Sequence, residues 1–365
     1  MPKYLFILGR NPELSIAELE GAFGKFKFEQ KGNAILAEIK ELEQDTIDKL
    51  GGTTAIGKVL VSGNDFEKQL ENEMLYLGTK NSMNYVLWDF SDEEFGEKVL
   101  LYLKKRFRQE KLRAVEKKIS GRMKLQSGEG VPYMPNRKLI DEQYFVFGES
   151  FGKIIETCDY EELERRDMEK PFRRERLAIS PRLAKIMINL SSVKKGETLV
   201  DPFCGIGVIL EEALIQGINV IGIDKDSEAI EGAKNNLRHF GVDKNNFLLM
   251  NSDSTRVQIT NANVLVTEPD MGDVLTKSQS KEKAERTISM YENLMSRVLN
   301  NMKGKTSGKI VFTAPYIKMV NKKRIGCGIE KIISRTGLKI REGFPIPEFR
   351  DNQVVGREIF VLEKS

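Results

Sequence analysis

Histidine is nearly absent from this chain: His239 is the single one in 365 residues. Cysteine is scarce as well, with Cys158, Cys204 and Cys327 far apart and outside any metal-ligand spacing. A structural zinc site is therefore not expected, and the thiols fit a reducing cytoplasm. No apolar run approaches the roughly 18–20 residues that a bilayer-spanning helix needs, so no membrane span is expected. The first residues, "MPKYLFILGR", hold a short apolar patch that Asn11-Pro12-Glu13 cuts off; they read as a first strand, not a signal peptide. A large charge of one sign is missing too. The net charge is only +4, which by itself selects no partner.

What is present is enough apolar material for packed cores. Hydrophobic residues make up 40% and charged ones 31% of the chain, which leaves little reason for wholesale disorder. The basic residues are clustered. Lys104 to Lys118 reads "KKRFRQEKLRAVEKK", eight basic residues against two acidic ones. A second cluster, "RRERLAISPRLAK", runs from Arg173 to Lys185, and "NKKR" ends at Arg324. One such run is commonly a solvated helix face. Several on a near-neutral chain favour a nucleic-acid surface. Lys104, Lys105, Arg106, Arg108, Arg173 and Arg174 are the candidate RNA contacts.

The length suggests two or three domains. Residues 1–62 read as a small α/β unit: the strand "KYLFIL", the helix "SIAELEGAF" with Ser15 as its cap and Glu18 completing a capping box, then the strand "AILAEI". Residues 63–158 read as a second unit, with a helix near Phe66–Leu75, the strand "NYVLWDF" and a basic helix over Asp92–Glu110. Residues 159–178 are highly charged and read as a linker. Over 179–365 strands and helices alternate, the signal of an α/β fold with a doubly wound parallel sheet. Trp88 reads as core and His239 as a last-turn helix residue. Tyr133 and Tyr144 are open between core and base stacking.

The strongest motif lies between Gly196 and Leu237. A strand ends at Asp201, and Phe203-Cys204-Gly205-Ile206-Gly207 forms a tight turn before a helix near Val208. The next strand ends at Asp224, and a third ends near Met250 with Asp253 following. Gly205 and Gly207 let the backbone approach a ligand closely, and an acid at the end of the second strand is placed to receive ribose hydroxyls. No Gly-Lys-Ser/Thr follows, which excludes a P-loop, and Leu210 stands where the dinucleotide fingerprint needs its third glycine. An adenosine-bearing ligand without a pyrophosphate fits, and S-adenosylmethionine is that ligand.

"LAISPRLAKIMINL", "LVDPFCGIGVILEEAL", "VIGIDKD" and "GAKNNL" together resemble the archaeal and eukaryotic tRNA guanine-N2 methyltransferases that modify guanosine 10. "MPKYLFILGRNPELSIAELE" resembles their N-terminal ferredoxin-like unit, and the segment to about Cys158 fits the position of their THUMP domain. The resemblance implies a Rossmann-like methyltransferase sheet behind two RNA-handling α+β units. It implies that Asp201, Phe203, Cys204, Gly205 and Gly207 line the methionine side of S-adenosylmethionine. Asp224 and Lys225 would hold the ribose, and Asp253 and Ser254 the adenine. Ser180 and Pro181 would lie near the cofactor's amino-acid end. tRNA would be the partner, with room for a small activating protein and a monomer or weak homodimer.

One turn departs from the family. Where the members of the family it resembles carry Asp-Pro-Pro-Tyr, this chain has Glu268-Pro269-Asp270-Met271 after the strand Asn263–Thr267. Glu268, Pro269 and Asp270 are the candidate catalytic residues. In the family an acidic oxygen and a proline carbonyl accept hydrogen bonds from the exocyclic amine, and the aromatic stacks on the base. Guanine N2 is a poor nucleophile, and accepting both N–H groups localises its lone pair. The missing aromatic removes a contact worth roughly 1–3 kcal/mol. Three readings stay open: an active enzyme gripping the base differently, an altered substrate read by Asp270, or a protein that binds tRNA or a partner without catalysis. A DNA amino-methyltransferase is a further alternative.

Overall fold

The computed structural model describes residues 1–63, 65–118, 122–124, 130–132, 139–174, 179–269, 277–350 and 352–364, with backbone alone at 93, 122–124 and 130–132. Two compact units divide the chain. The first holds Met1–Ile16 and Phe23–Glu164, the second Ala17–Ala22 and Arg165–Ser365.

The elements up to residue 168 are, in order, β1 (Lys3–Leu8), α1 (Pro12–Phe23), β2 (Phe28–Lys31), β3 (Ala34–Glu38), α2 (Thr46–Lys49), β4 (Thr53–Ser62), α3 (Phe66–Gln69), β5 (Ser82–Phe90), α4 (Glu93–Gln109), β6 (Arg113–Glu116), β7 (Arg122–Lys124), β8 (Gly130–Pro132), β9 (Glu142–Phe147), β10 (Ser150–Thr157) and α5 (Tyr160–Met168). One eight-stranded sheet, ordered β2-β3-β1-β4-β10-β9-β5-β6, takes strands from both 1–62 and 63–158. β4 is the hinge of that arrangement, pairing antiparallel with β1 on one side and β10 on the other.

Local chemistry explains the helix starts. α1 begins three residues before the expected cap. Asn11 Oδ1 accepts the Leu14 N–H at 3.2 Å and Pro12 occupies the first helical position, where its missing N–H costs nothing. Ser15 lies inside the helix, its hydroxyl 2.8 Å from the carbonyls of both Asn11 and Gly52. The expected helix near Phe66–Leu75 is shorter, ending at Gln69. Tyr144 is core: it is fully buried, stacks on Phe151 at 5.8 Å, and its hydroxyl donates to the Leu75 carbonyl at 2.7 Å. Trp88 is buried as expected and donates to Gln143 Oε1. Tyr133 lies outside the described residues.

The second unit continues with α6 (Pro181–Leu190), β11 (Thr198–Asp201), α7 (Val208–Ile215), β12 (Asn219–Asp224), α8 (Ser227–His239), β13 (Phe247–Asn251), β14 (Val264–Thr267), α9 (Lys281–Met302), β15 (Ile310–Lys318), β16 (Arg324–Ile325), α10 (Ile329–Thr336), β17 (Leu338–Ile340), β18 (Ile346–Glu348) and β19 (Val355–Lys364). Its sheet runs β13-β12-β11-β14-β15-β19-β17. The first five strands are parallel, and β19 is antiparallel to β15. Parallel strands are covered on both faces, so they read as unbroken apolar runs; all four residues of β14 are buried. Val200, Leu265, Met295, Phe312 and Phe360 form the centre of this core. The order reverses between β11 and β14, and a crevice at the carboxyl ends of such strands is where ligands bind.

Residues 159–178 differ from the expected linker. Nine of them form α5, and the Lys170 ammonium is buried against Glu211 Oε2 at 3.5 Å and Asp167 Oδ1 at 3.2 Å. Arg166 and Lys185 approach Glu212 at 3.2 and 3.9 Å. Two cations of this charged stretch, Arg166 and Lys170, are thus engaged in buried ion pairs. Among the described residues, no helix is long and apolar enough to cross a membrane.

Candidate active site

The strand ends deliver the expected acids to one rim. Asp201 closes β11 and is almost fully buried. Its Oδ1 accepts the Phe203 N–H at 3.0 Å and the Thr267 hydroxyl. Burial pushes its pKa up to about 7 against those two hydrogen bonds, and the charges of Asp224 and Glu268 add to the rise. Asp201 therefore braces the turn after β11 from within the protein. Thr267, the last residue of β14, was not singled out by the sequence, because a threonine in a buried strand carries no signal of its partner.

Asp224 closes β12 and is half-buried. Its Oδ2 accepts the Gly205 N–H and its Oδ1 the Asp226 N–H, each at 2.9 Å. A carboxylate has about four lone-pair positions, so room remains for ligand hydroxyls. Gly205 has φ +50° and a Cβ there would meet nothing within 4 Å. Gly207 has φ +90°, caps α7, and a Cβ there would come 3.3 Å from Ala233 Cβ. The two glycines thus serve different needs, one facing open space and one packing against α8. Cys204 is buried, and desolvation, with Asp201 and Asp224 adding, raises its thiol pKa far above neutrality. It does not supply a nucleophile. Phe203 packs against the main core, and Lys225 is exposed.

The other expected contacts are occupied in various degrees. Asp253 Oδ1 accepts the N–H and hydroxyl of Thr255 at 2.9 and 2.8 Å, which lowers its pKa. Ser254 is buried and donates to the Pro202 carbonyl at 2.5 Å, tying the turn after β13 to the turn after β11. Ser180 caps α6 through the Leu183 N–H at 3.3 Å, with Pro181 at the first helical position. Asn236, which the sequence reading did not single out, is buried on α8 and bonds both Phe172 and the Ile206 carbonyl.

Glu268 follows β14 with a side chain only 7% exposed. Arg357 of β19 donates through Nε to its Oε1, and the Thr313 hydroxyl stands 3.5 Å from the same oxygen. Its Oε2 is buried with no hydrogen-bond partner among the described residues. A buried carboxylate oxygen left without a donor is costly unless a ligand supplies one. Pro269 is buried beside it. Asp270 and Met271 lie outside the described residues.

Residues 171–324 match the family described as an RMKL-like methyltransferase domain. A second family, described as DNA methylase, matches 67–235, which stops short of the turn at Glu268. The crystal structure of TrmN from Thermus thermophilus covers the whole of both chains with a TM-score of 0.52 and 14% identity. The fold is that of a Rossmann-like methyltransferase. A curated tRNA (guanine(10)-N2)-dimethyltransferase of Methanothermobacter thermautotrophicus is 35% identical over 140 residues, 38% of this chain and 39% of the relative. The protein of that name from Methanocaldococcus jannaschii is 29% identical over 188 residues, 48% of this chain and 52% of the relative. The chain thus spans between about two fifths and one half of these relatives' length.

The basic candidates fall into two groups. Arg106 is held by its own unit: Nε pairs with Glu110 and Nη1 donates to the Leu70 carbonyl at 3.1 Å. Lys104 lies 3.6 Å from Glu116. Lys105 and Arg108 are exposed on α4. Arg174 bridges Asp226 at 2.7 Å and Glu228 at 3.3 Å, which braces the start of α8 and lowers the Asp226 pKa. Arg173 is likewise engaged within the protein. His239 ends α8, exposed, as expected of a helix C-terminus.

Proposed function

We propose that this protein is an S-adenosylmethionine-dependent methyltransferase that modifies the exocyclic N2 of a guanine in tRNA, at guanosine 10. The observation that carries the reading is the buried Oε2 of Glu268 at the strand-end rim, which has no partner among the described residues. The curated relatives named for guanosine 10 support the substrate.

The residues fit the cofactor. Asp201, Asp224 and Glu268 lie close enough for the last two to raise the pKa of the first, so the rim concentrates negative charge and suits a cationic sulfonium. Gly205 leaves open space beside Asp224, whose free lone pairs suit ribose hydroxyls. S-adenosylmethionine, when bound, supplies a methyl on a cationic sulfur that an amine nitrogen takes up directly, with no covalent enzyme intermediate. Glu268 Oε2 accepts an N–H of the amine, concentrates the nitrogen lone pair, and stands ready to receive the proton released on methylation. Burial keeps water from competing for that oxygen. Lys105 and Arg108 would contact phosphates and position the tRNA.

The test is single-turnover methyl transfer to unmodified tRNA with labelled cofactor, followed by mass spectrometry of the nucleosides. N2-methylguanosine is the expected product. Glu268→Gln keeps the size but replaces the carboxyl acceptor with an amide, and should slow transfer by roughly 10²–10³-fold, as for loss of one preorganised polar group, while cofactor binding persists. A product on a DNA duplex and none on tRNA would overturn the substrate. Undiminished transfer by Glu268→Gln would overturn the acceptor role.

A further inference from the structure

We propose that Arg357 is a positioning residue for methyl transfer: it pins one oxygen of Glu268 so that the other stays aimed at the substrate amine. This rests on Glu268 being the amine acceptor.

Three neighbouring strands build the device. Glu268 follows β14, Thr313 lies on β15, and Arg357 lies on β19 directly opposite Pro315. Side chains alternate along a strand, so Thr313, Pro315 and Arg357 share one face of the sheet. Arg357 Nε and the Thr313 hydroxyl converge on Glu268 Oε1 and leave Oε2 without a partner among the described residues. The asymmetry matters. A guanidinium is a planar fork that can grip both oxygens of a carboxylate. A bidentate grip here would have consumed the acceptor; gripping one oxygen fixes the carboxylate plane and keeps the other available.

The glutamate makes such a pin necessary. It is one methylene longer than the aspartate of the resembling family and has one more rotatable bond. Left loose, its carboxylate would sample several orientations, and a misplacement of about 1 Å can cost on the order of 10²-fold in rate. The side chains of Glu268 and Arg357 are 7% and 20% exposed, so the charge of Arg357 also offsets the burial of the carboxylate. The two residues are 89 positions apart in sequence, and no local pattern joins them.

The experiment is a double-mutant cycle on the full chain, read by single-turnover transfer to tRNA with cofactor and tRNA affinities measured separately. Arg357→Lys keeps the charge and loses the planar fork; Arg357→Met loses both. Each should slow the chemical step by roughly 10–100-fold through lost orientation, with Lys the milder and both affinities within about twofold of wild type. In the Glu268→Gln background Arg357→Met should cause no further loss, because it acts through that carboxylate. The double variant also removes the buried unpaired charge, so it tests the idea even if Arg357→Met alone folds poorly. Independent, multiplicative losses in the double variant would overturn the proposal, as would weaker tRNA binding with an intact chemical step. A slow Glu268→Gln beside fully active Arg357 variants would overturn the positioning role alone. A fully active Glu268→Gln would instead overturn the acceptor reading on which it rests.

Discussion

Asp201 concentrates the electrostatic tension of the rim in one side chain. Its pKa stands at about 7 in the folded protein against an ordinary 3.8, chiefly through desolvation. Between those values the native state binds more protons than the unfolded chain, so the stability this group contributes is present below about 4 and is lost as pH rises to about 7. Asp201→Asn cannot ionise. The melting temperature of the variant relative to wild type should therefore climb across that window and level off above it. Thermal unfolding at several pH values checks this, and a pH-independent difference would show that Asp201 is not perturbed. Asp224 belongs to the same rim with a different task. Its carboxylate keeps acceptor positions free, so Asp224→Ala should weaken S-adenosylmethionine binding by about 1.5–3 kcal/mol, the range for hydrogen bonds to a charged group. Calorimetry at wild-type affinity would remove Asp224 from the ribose site. The acidic strand ends were legible because each sits at a local transition from apolar run to turn. The partner of Glu268 was not, since it arrives from β19.

The turn into α7 places its two glycines differently, Gly205 before open space and Gly207 against α8. Gly207→Ala combines φ +90° with a Cβ 3.3 Å from Ala233, and should destabilise the domain by about 1–2 kcal/mol from the left-handed backbone alone. Gly205→Ala, at φ +50°, carries the same left-handed backbone cost, but the new methyl would stand in open space, so it should in addition weaken cofactor binding. Paired melting and calorimetry would separate the two; wild-type cofactor affinity in Gly205→Ala would mean Gly205 faces no ligand. Behind the turn, α7 carries Glu211, whose pKa burial raises to about 7 despite Lys170. Lys170→Met leaves that carboxyl without its cation and should cost roughly 3–5 kcal/mol, while Lys170→Met with Glu211→Leu should recover most of the loss. Denaturant unfolding of both variants measures it. A charged stretch reads as solvated because exposure is the common fate of such residues. Whether a particular lysine is buried depends on which helix covers it.

Across the molecule, the proposed RNA contacts on α4 and the proposed cofactor rim lie in different compact units. Charge reversal of Lys105 and Arg108 should weaken tRNA binding and flatten its salt dependence by a log–log slope of up to about 1.4–1.8 for two lost phosphate contacts. Cofactor affinity should not change. Arg106→Met should instead lower the melting temperature, because that guanidinium holds the Leu70 carbonyl and Glu110. An unaltered salt slope would make the basic face of α4 merely solvated. The sequence by itself determined the parallel sheet, the glycine turn and the acids at its rim, because apolar runs, helix starts and turn residues act over a few positions. It also marked the Glu268 turn as a departure, since a missing aromatic is visible without any fold. Tertiary structure alone decided that Asn11 rather than Ser15 caps α1, that Lys170 is buried, and that Arg357 occupies one oxygen of Glu268 and leaves the other open. Those outcomes depend on desolvation and on neighbours brought together from distant segments, and a linear pattern encodes neither.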